Sequence, residues 1–131
     1  MAGEQNAETL RRGFEAFQKG DMDALRNEFF TEDTIWHVAG KGPMAGDYRG
    51  QEVFEWFRKL FELSGGTFRV DVHDILGTAD HAVAITTVSA EREGKKLENA
   101  KGIEVHHFEG GKVSESWLLN EDADEYEQFW S

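Results

Sequence analysis

Cysteine is absent from this 131-residue chain. Disulfides, thiol nucleophiles and cysteine metal sites are therefore excluded, and a reducing, cytoplasmic setting is expected. Proline occurs once, at Pro43. No apolar run approaches the roughly 18 residues that cross a membrane. The stretch from Met1 to Thr9 is polar and acidic, unlike a signal or transit peptide. Basic residues are scarce, with 14 Lys and Arg against 26 Asp and Glu and a formal net charge of −12. No Lys/Arg stripe offsets that charge, so neither nucleic acid nor a membrane surface is expected as a partner. The glycines at 40, 42, 46 and 50 do not stand between a strand and a helix in a phosphate-binding pattern. No G-x-S-x-G nucleophile motif occurs. The five histidines show no H-x-H or H-x₃-H spacing on one face, so no metal is expected. No other cofactor is expected either.

What is present is a sequence able to build one core. The length suits a single domain over 1–131. Apolar residues make up 39%, and ten Phe with four Trp suggest flat apolar walls. Ala7, Leu10, Phe14 and Phe17 follow helical spacing and predict a first helix over about 5–19, stopped by Gly20. Asp21 suits the cap of a second helix reaching Phe30, with Met22, Leu25 and Phe29 as its stripe. Thr34 to Ala39 reads as a short strand, and Gly40 to Gly50 as an irregular loop. Val53, Phe57, Leu60 and Phe61 give a third, strongly amphipathic helix from Gln51, closed by Gly65 and Gly66.

The period then changes. Thr67–Leu76, His81–Glu91, Lys96–Phe108 and Lys112–Leu119 read as strands joined by short turns, a meander. Gly102 inside its strand suggests a bulge. The acidic run Glu121–Glu127 reads as a solvated terminal segment. Helices followed by strands imply an α+β fold.

Several pieces of the chain together carry a likeness. They are Phe14-Glu15-Ala16-Phe17 with Gly20-Asp21, Phe30-Thr31-Glu32-Asp33 leading into Trp36-His37-Val38, and Gly46-Asp47-Tyr48-Arg49-Gly50. Gly111-Lys112-Val113 with Glu115 and Trp117, and the ending Phe129-Trp130, complete the set. In order and spacing the chain resembles the nuclear transport factor 2-like superfamily, within it the SnoaL-like group. The resemblance implies a cone-shaped α+β barrel, with three N-terminal helices packed on a curved antiparallel sheet enclosing a pocket. It also implies a homodimer through the exposed sheet face, which would carry Trp117 and His107. Relatives include ketosteroid isomerases, polyketide cyclases, limonene epoxide hydrolases and scytalone dehydratases, so the fold does not choose a reaction.

The resemblance puts Trp36 and Val38, Glu104 and His106, and Ser116, Leu118 and Asn120 on the concave face. Alternation agrees, because residues two apart share a face. A carboxylate beside an imidazole supplies a proton acceptor and a donor, so Glu104 and His106 are the candidate catalytic pair. Phe57 and Phe61 would join Trp36 as walls. Met44 and Tyr48 of the Gly-rich loop would reach the mouth. The isomerases' basic aspartate corresponds to Val38, so their mechanism does not transfer intact. Their oxyanion-binding acid corresponds to Glu104. The epoxide hydrolases' last-strand aspartate corresponds to Leu118, and Ala82–Ala90 carries no charge, which argues against that chemistry. His37 and His107 should face away from the pocket. The expected function is a cofactor-free isomerase, cyclase or lyase acting by proton transfer on an apolar, carbonyl-bearing ligand of steroid or polyketide type. The alternatives are a non-catalytic binding protein for an apolar small molecule, or a dimeric interaction protein.

Overall fold

The helical and strand periods divide the chain in two, and the computed structural model, which describes residues 2–131, keeps that division. The elements are α1 (Ala2–Gln18), α2 (Met22–Ala24), a π-helical turn (Leu25–Phe29), β1 (Phe30–Val38), β2 (Gly46–Arg49) and α3 (Gln51–Leu63). Then come β3 (Arg69–Gly77), β4 (His81–Arg92), β5 (Lys95–Glu109), β6 (Lys112–Asn120) and α4 (Ala123–Trp130). Leu10, Gly13 and Phe17 form the buried stripe of α1. Val53, Phe54, Trp56, Phe57 and Leu60 form that of α3. Both stripes pack onto the sheet's concave face, where Trp36, Val38, Phe68, Val88 and Val113 complete the core. Among the described residues, no helix is long and apolar enough to cross a membrane.

The first helix starts earlier than its apolar spacing indicates. The reason is tertiary. The Asn6 amide donates to the carbonyls of Thr78 and Ala79, at 2.9 and 3.0 Å. Gly3 and Gly77 let the two backbones approach, since a Cβ on Gly3 would lie 2.5 Å from the Gly77 oxygen. Asp21 caps α2 by accepting from the Ala24 N–H. The helix then widens into the π turn, whose last bond runs from the Phe30 N–H to the Leu25 carbonyl. This shift delivers both Phe29 and Phe30 to the core.

The sheet order is β2-β1-β6-β5-β4-β3. β3 to β6 form the antiparallel meander that their short turns require. β1 differs, because it lies parallel to β6, with Trp36 opposite Ser116 and Val38 opposite Leu118. α3 and the three strands after it separate β1 from β6 in sequence, so no short turn constrains their direction.

Three expectations are corrected. The Gly40–Gly50 loop contains β2, a short edge strand paired antiparallel to β1. Its four residues carry no apolar alternation, and the free edge of β1 recruits them. Gly102 is not bulged: it stands in register with Thr86 and Asn120. The β4–β5 bulge lies where Val88 to Ala90 face Ala100 to Leu97, and there Asn99 takes φ +49°. Finally, the acidic C-terminal run is solvent-exposed, as its charge implies, but it is not an unstructured tail. It forms a fourth helix, α4, capped by Asp122, with Phe129 and Trp130 buried.

Candidate functional site

Strand alternation aims Glu104 and His106 of β5 at the helices, together with Ser116, Leu118 and Asn120 of β6. Pairing then makes them neighbours. His106 stands opposite Ser116, Glu104 opposite Leu118 and Gly102 opposite Asn120. On the other side of β6, Trp36 stands opposite Ser116 and Val38 opposite Leu118. Three strands thus bring Trp36, Ser116 and His106 into one row, and Val38, Leu118 and Glu104 into the next.

These rows floor a cavity roofed by α1 and α3. Phe14 and Phe17 of α1, Phe29 and Phe30, and Trp56 and Phe57 of α3 supply aromatic walls. Thr86, Glu104, Asn120 and Tyr126 supply most of its polar groups. About 70 Å³ is open to the centre of a water molecule. At roughly 10–15 Å³ per water, that is room for a few waters or one flat group. Glu104 is the only carboxylic side chain on the lining, which holds no Lys or Arg among the described residues.

The polar core of the site is a chain of three side chains. His106 Nε2 lies 3.0 Å from Glu104 Oε1, and His106 Nδ1 lies 2.7 Å from Ser116 Oγ. His106 is 1% exposed and Ser116 0%. The Glu104 side chain keeps 13% and is the member that reaches the open space. The His106 ring neighbours Trp36, at 5.4 Å between ring centres, and Phe14, at 6.4 Å and nearly perpendicular. The Trp36 indole N–H is buried without an acceptor among the described residues. Leaving such a donor unpaired costs about 1–3 kcal/mol, which an incoming acceptor would offset.

Of the residues singled out in the sequence, Trp36, Val38, Phe57, Glu104, His106, Leu118 and Asn120 line this cavity. Met44, Tyr48, Phe61 and Ser116 do not. Met44 is buried, and its carbonyl accepts from the Trp56 indole and the Tyr48 hydroxyl. The Tyr48 hydroxyl is engaged within its own loop, on the Met44 and Ala45 carbonyls. Burial raises its phenol above the ordinary value, helped by the charge of Glu52. Phe61 packs outside the wall on Phe17 and Phe68. Ser116 lies behind His106.

The residue that sequence reasoning missed is Tyr126, which α4 carries to the cavity. Burial pushes its phenol well up, the neighbouring Trp130 opposes the rise, and the charge of Glu104 adds to it. The available signal was the helical spacing of Tyr126, Phe129 and Trp130 beneath the acidic residues.

The outer face of the sheet has a separate cluster. His37 Nδ1 meets Asp47 Oδ1 at 2.8 Å and Nε2 meets Glu115 Oε2 at 2.6 Å. The ring stacks on Trp117. Hydrogen bonds to Asp47 first and Glu115 second raise this imidazole above its ordinary 6.5. Among the described residues, no group of three or more His, Asp or Glu side chains is placed to hold a metal.

Comparison with known proteins agrees with this architecture. The family described as SnoaL-like domain matches residues 10–116. An uncharacterised protein of Mycobacterium tuberculosis is 29% identical over 133 aligned positions, covering 100% of both chains. Bal32a, from a soil-derived mobile gene cassette, has a TM-score of 0.95 and 35% identity, covering 100% of each chain. A Xanthomonas campestris protein of unknown function with a cystatin-like fold gives 0.88 and 26%, over 96% of this chain and 98% of the other. IdmH of Streptomyces antibioticus, a candidate polyketide cyclase, gives 0.72 at 18% identity, over 89% of this chain and 92% of its own, a likeness of fold.

Proposed function

The chain belongs to the family of SnoaL-like domains, and from that premise we propose that it binds an apolar, carbonyl-bearing small molecule and moves a proton on it with Glu104. The observation that carries this reading is a single carboxylate, paired with a buried imidazole, on the wall of a mostly apolar and aromatic cavity. One carboxylate oxygen, Oε1, faces His106 Nε2, which leaves the other for the ligand.

The step is a simple one. The carboxylate takes a proton from the carbon next to the ligand's carbonyl, and an enolate forms. The resulting acid returns the proton to another carbon, which isomerises the ligand. Alternatively the enolate carbon attacks a second carbonyl of the same molecule, which closes a ring, and the acid protonates the new alkoxide. Placed acid/base groups of this kind contribute about 10²–10⁴ in rate. The Trp36 indole and the Tyr126 hydroxyl are the donors in the wall that could meet the enolate oxygen. The aromatic walls suit one flat ring of a steroid- or polyketide-type ligand, and the rest of such a ligand would have to part them, since only about 70 Å³ is open.

A second reading has one observation in its favour. Val38 stands where related isomerases carry their base, so the cavity could hold a ligand without converting it. The two readings separate in one experiment. A thermal-shift screen with flat aromatic and steroid-like ketones finds compounds that raise the melting temperature, since ligands of the native state stabilise it by mass action. Glu104→Gln should then fold normally and lose proton exchange, followed as solvent deuterium entering the bound ketone. Exchange that persists in Glu104→Gln removes Glu104 as the base. Binding with no exchange in the parent protein leaves the non-catalytic reading.

The outer face supports a further part of the proposal, a homodimer. Ile85, Ile103 and Leu119 are exposed and stand in register across three strands. A second copy of the chain would cover this row.

A further inference from the structure

We propose that Ser116 is a positioning residue, whose buried hydroxyl holds His106 in the tautomer with its proton on Nε2 and so aims that N–H at Glu104. The argument is a count of protons. Among the described residues, Ser116 Oγ has one polar partner, His106 Nδ1 at 2.7 Å. With 0% exposure, it has no route to solvent. His106 Nε2 faces Glu104 Oε1 at 3.0 Å.

Three proton placements are possible. With the proton on Nδ1 alone, Nδ1–H donates to Ser116, the serine O–H is left without an acceptor, and Nε2 faces the carboxylate lone pair to lone pair. With both nitrogens protonated, the serine O–H is again orphaned. With the proton on Nε2, the serine donates to Nδ1 and Nε2–H donates to Glu104, and every buried donor is paired. Buried polar groups are overwhelmingly hydrogen-bonded, so the last arrangement is selected. The identity of the atom bonded to one ring nitrogen decides which nitrogen carries the proton. A half-turn of the ring would put its two carbons where the nitrogens stand and lose both hydrogen bonds, so Nδ1 stays on Ser116 and Nε2 on Glu104.

The consequence concerns ligand class, and it rests on the proton-transfer reading above. Glu104 meets the ligand as an acceptor only. No Lys or Arg lines the cavity to balance it. A ligand offering an acidic C–H, an enol or phenol O–H, or an N–H is favoured, and a carboxylate ligand meets a like charge. Ser116 does this without touching the ligand, since it lies outside the lining.

The test reads the tautomer directly, with no ligand present. Protein labelled with ¹⁵N-histidine is examined by long-range ¹H–¹⁵N correlation, and His106→Gln identifies the signal. The parent should show a protonated Nε2 and an unprotonated Nδ1. Ser116→Ala should lose this single-tautomer pattern, and Ser116→Thr, which keeps the hydroxyl, should retain it. A proton on Nδ1 in the parent protein overturns the proposal, and that measurement stands even where Ser116→Ala does not fold. An unchanged pattern in folded Ser116→Ala overturns it too. Absence of exchange on every ketone would defeat the proton-transfer reading while leaving the tautomer result intact, so the two failures are distinguishable.

Discussion

At the scale of single residues, the two faces of the sheet use histidine oppositely. His106 is buried and meets one carboxylate and one hydroxyl. His37 meets two carboxylates at 2.8 and 2.6 Å, an arrangement that favours the protonated ring, in which both nitrogens donate. Because its folded-state value is raised, His37 contributes stability that is complete below the unfolded value near 6.5. That contribution is lost as pH rises through the higher folded value. The urea midpoint should therefore fall across this window. His37→Asn should flatten the fall while lowering the midpoint at acid pH. A fall of unchanged size in the variant would assign the pH dependence to other groups. Gly102 is a second informative residue. A Cβ there would lie 3.0 Å from the Leu119 oxygen and 3.4 Å from Asn120 Oδ1, beside the polar part of the cavity. Gly102→Ala should weaken binding of any ketone found by the screen, read as a smaller thermal shift at equal concentration.

At the scale of elements, α4 is the piece whose role its composition hides. Its acidic residues face outward while Phe129 and Trp130 are buried. Arg92 and Lys95 hold its last carbonyls, both reaching the Ser131 oxygen at 2.8 Å. Cations at a helix C-terminus also complement its dipole. Trp130→Ala should cost roughly 3–5 kcal/mol, the usual range for deleting a buried aromatic, measured by urea unfolding. It should also loosen Tyr126 at the cavity, which a ligand's thermal shift would report. The N-terminal end of α1 makes a comparable demand on β3. Gly77→Ala would drive a methyl into the Gly3 carbonyl. It should destabilise by about 1–3 kcal/mol through overpacking and expose the first turn of α1 to proteolysis.

At the scale of the whole molecule, helices cover one face of the sheet and leave the other bare. The bare face carries an apolar row, Ile85, Ile103 and Leu119, on a chain of net charge −12. Apolar attraction there works against repulsion between two acidic copies. Association should therefore strengthen as salt is raised, because screening weakens the repulsion more than it weakens apolar contact. Sedimentation should report twice the chain mass, and Ile103→Lys should return it to the mass of one chain. A parent protein that sediments as a single chain at high salt would end the dimer proposal.

The sequence by itself determined the periods. Spacing of three and four built α1 and α3, and the switch to spacing of two built the meander. Alternation put Glu104 and His106 on one face of their strand with His107 on the other, and His37 opposite Trp36, while the resemblance said which faces meet at the pocket. Those features depend on local sterics, which each segment carries within itself. The tertiary structure decided who stands beside whom. Ser116 sits behind His106 and not in the wall, because β6 pairs in one register out of several its alternation permits. Trp36 joins that row only because β1 lies parallel to β6, a pairing no turn dictates. The Met44 and Tyr48 loop closes on itself through the Trp56 and Tyr48 hydrogen bonds. Tyr126 reaches the cavity because Trp130 and Phe129, weak signals among acidic residues, find a core already built by the rest of the chain. Such contacts join segments far apart in sequence, and their energy exists only once the sheet has formed.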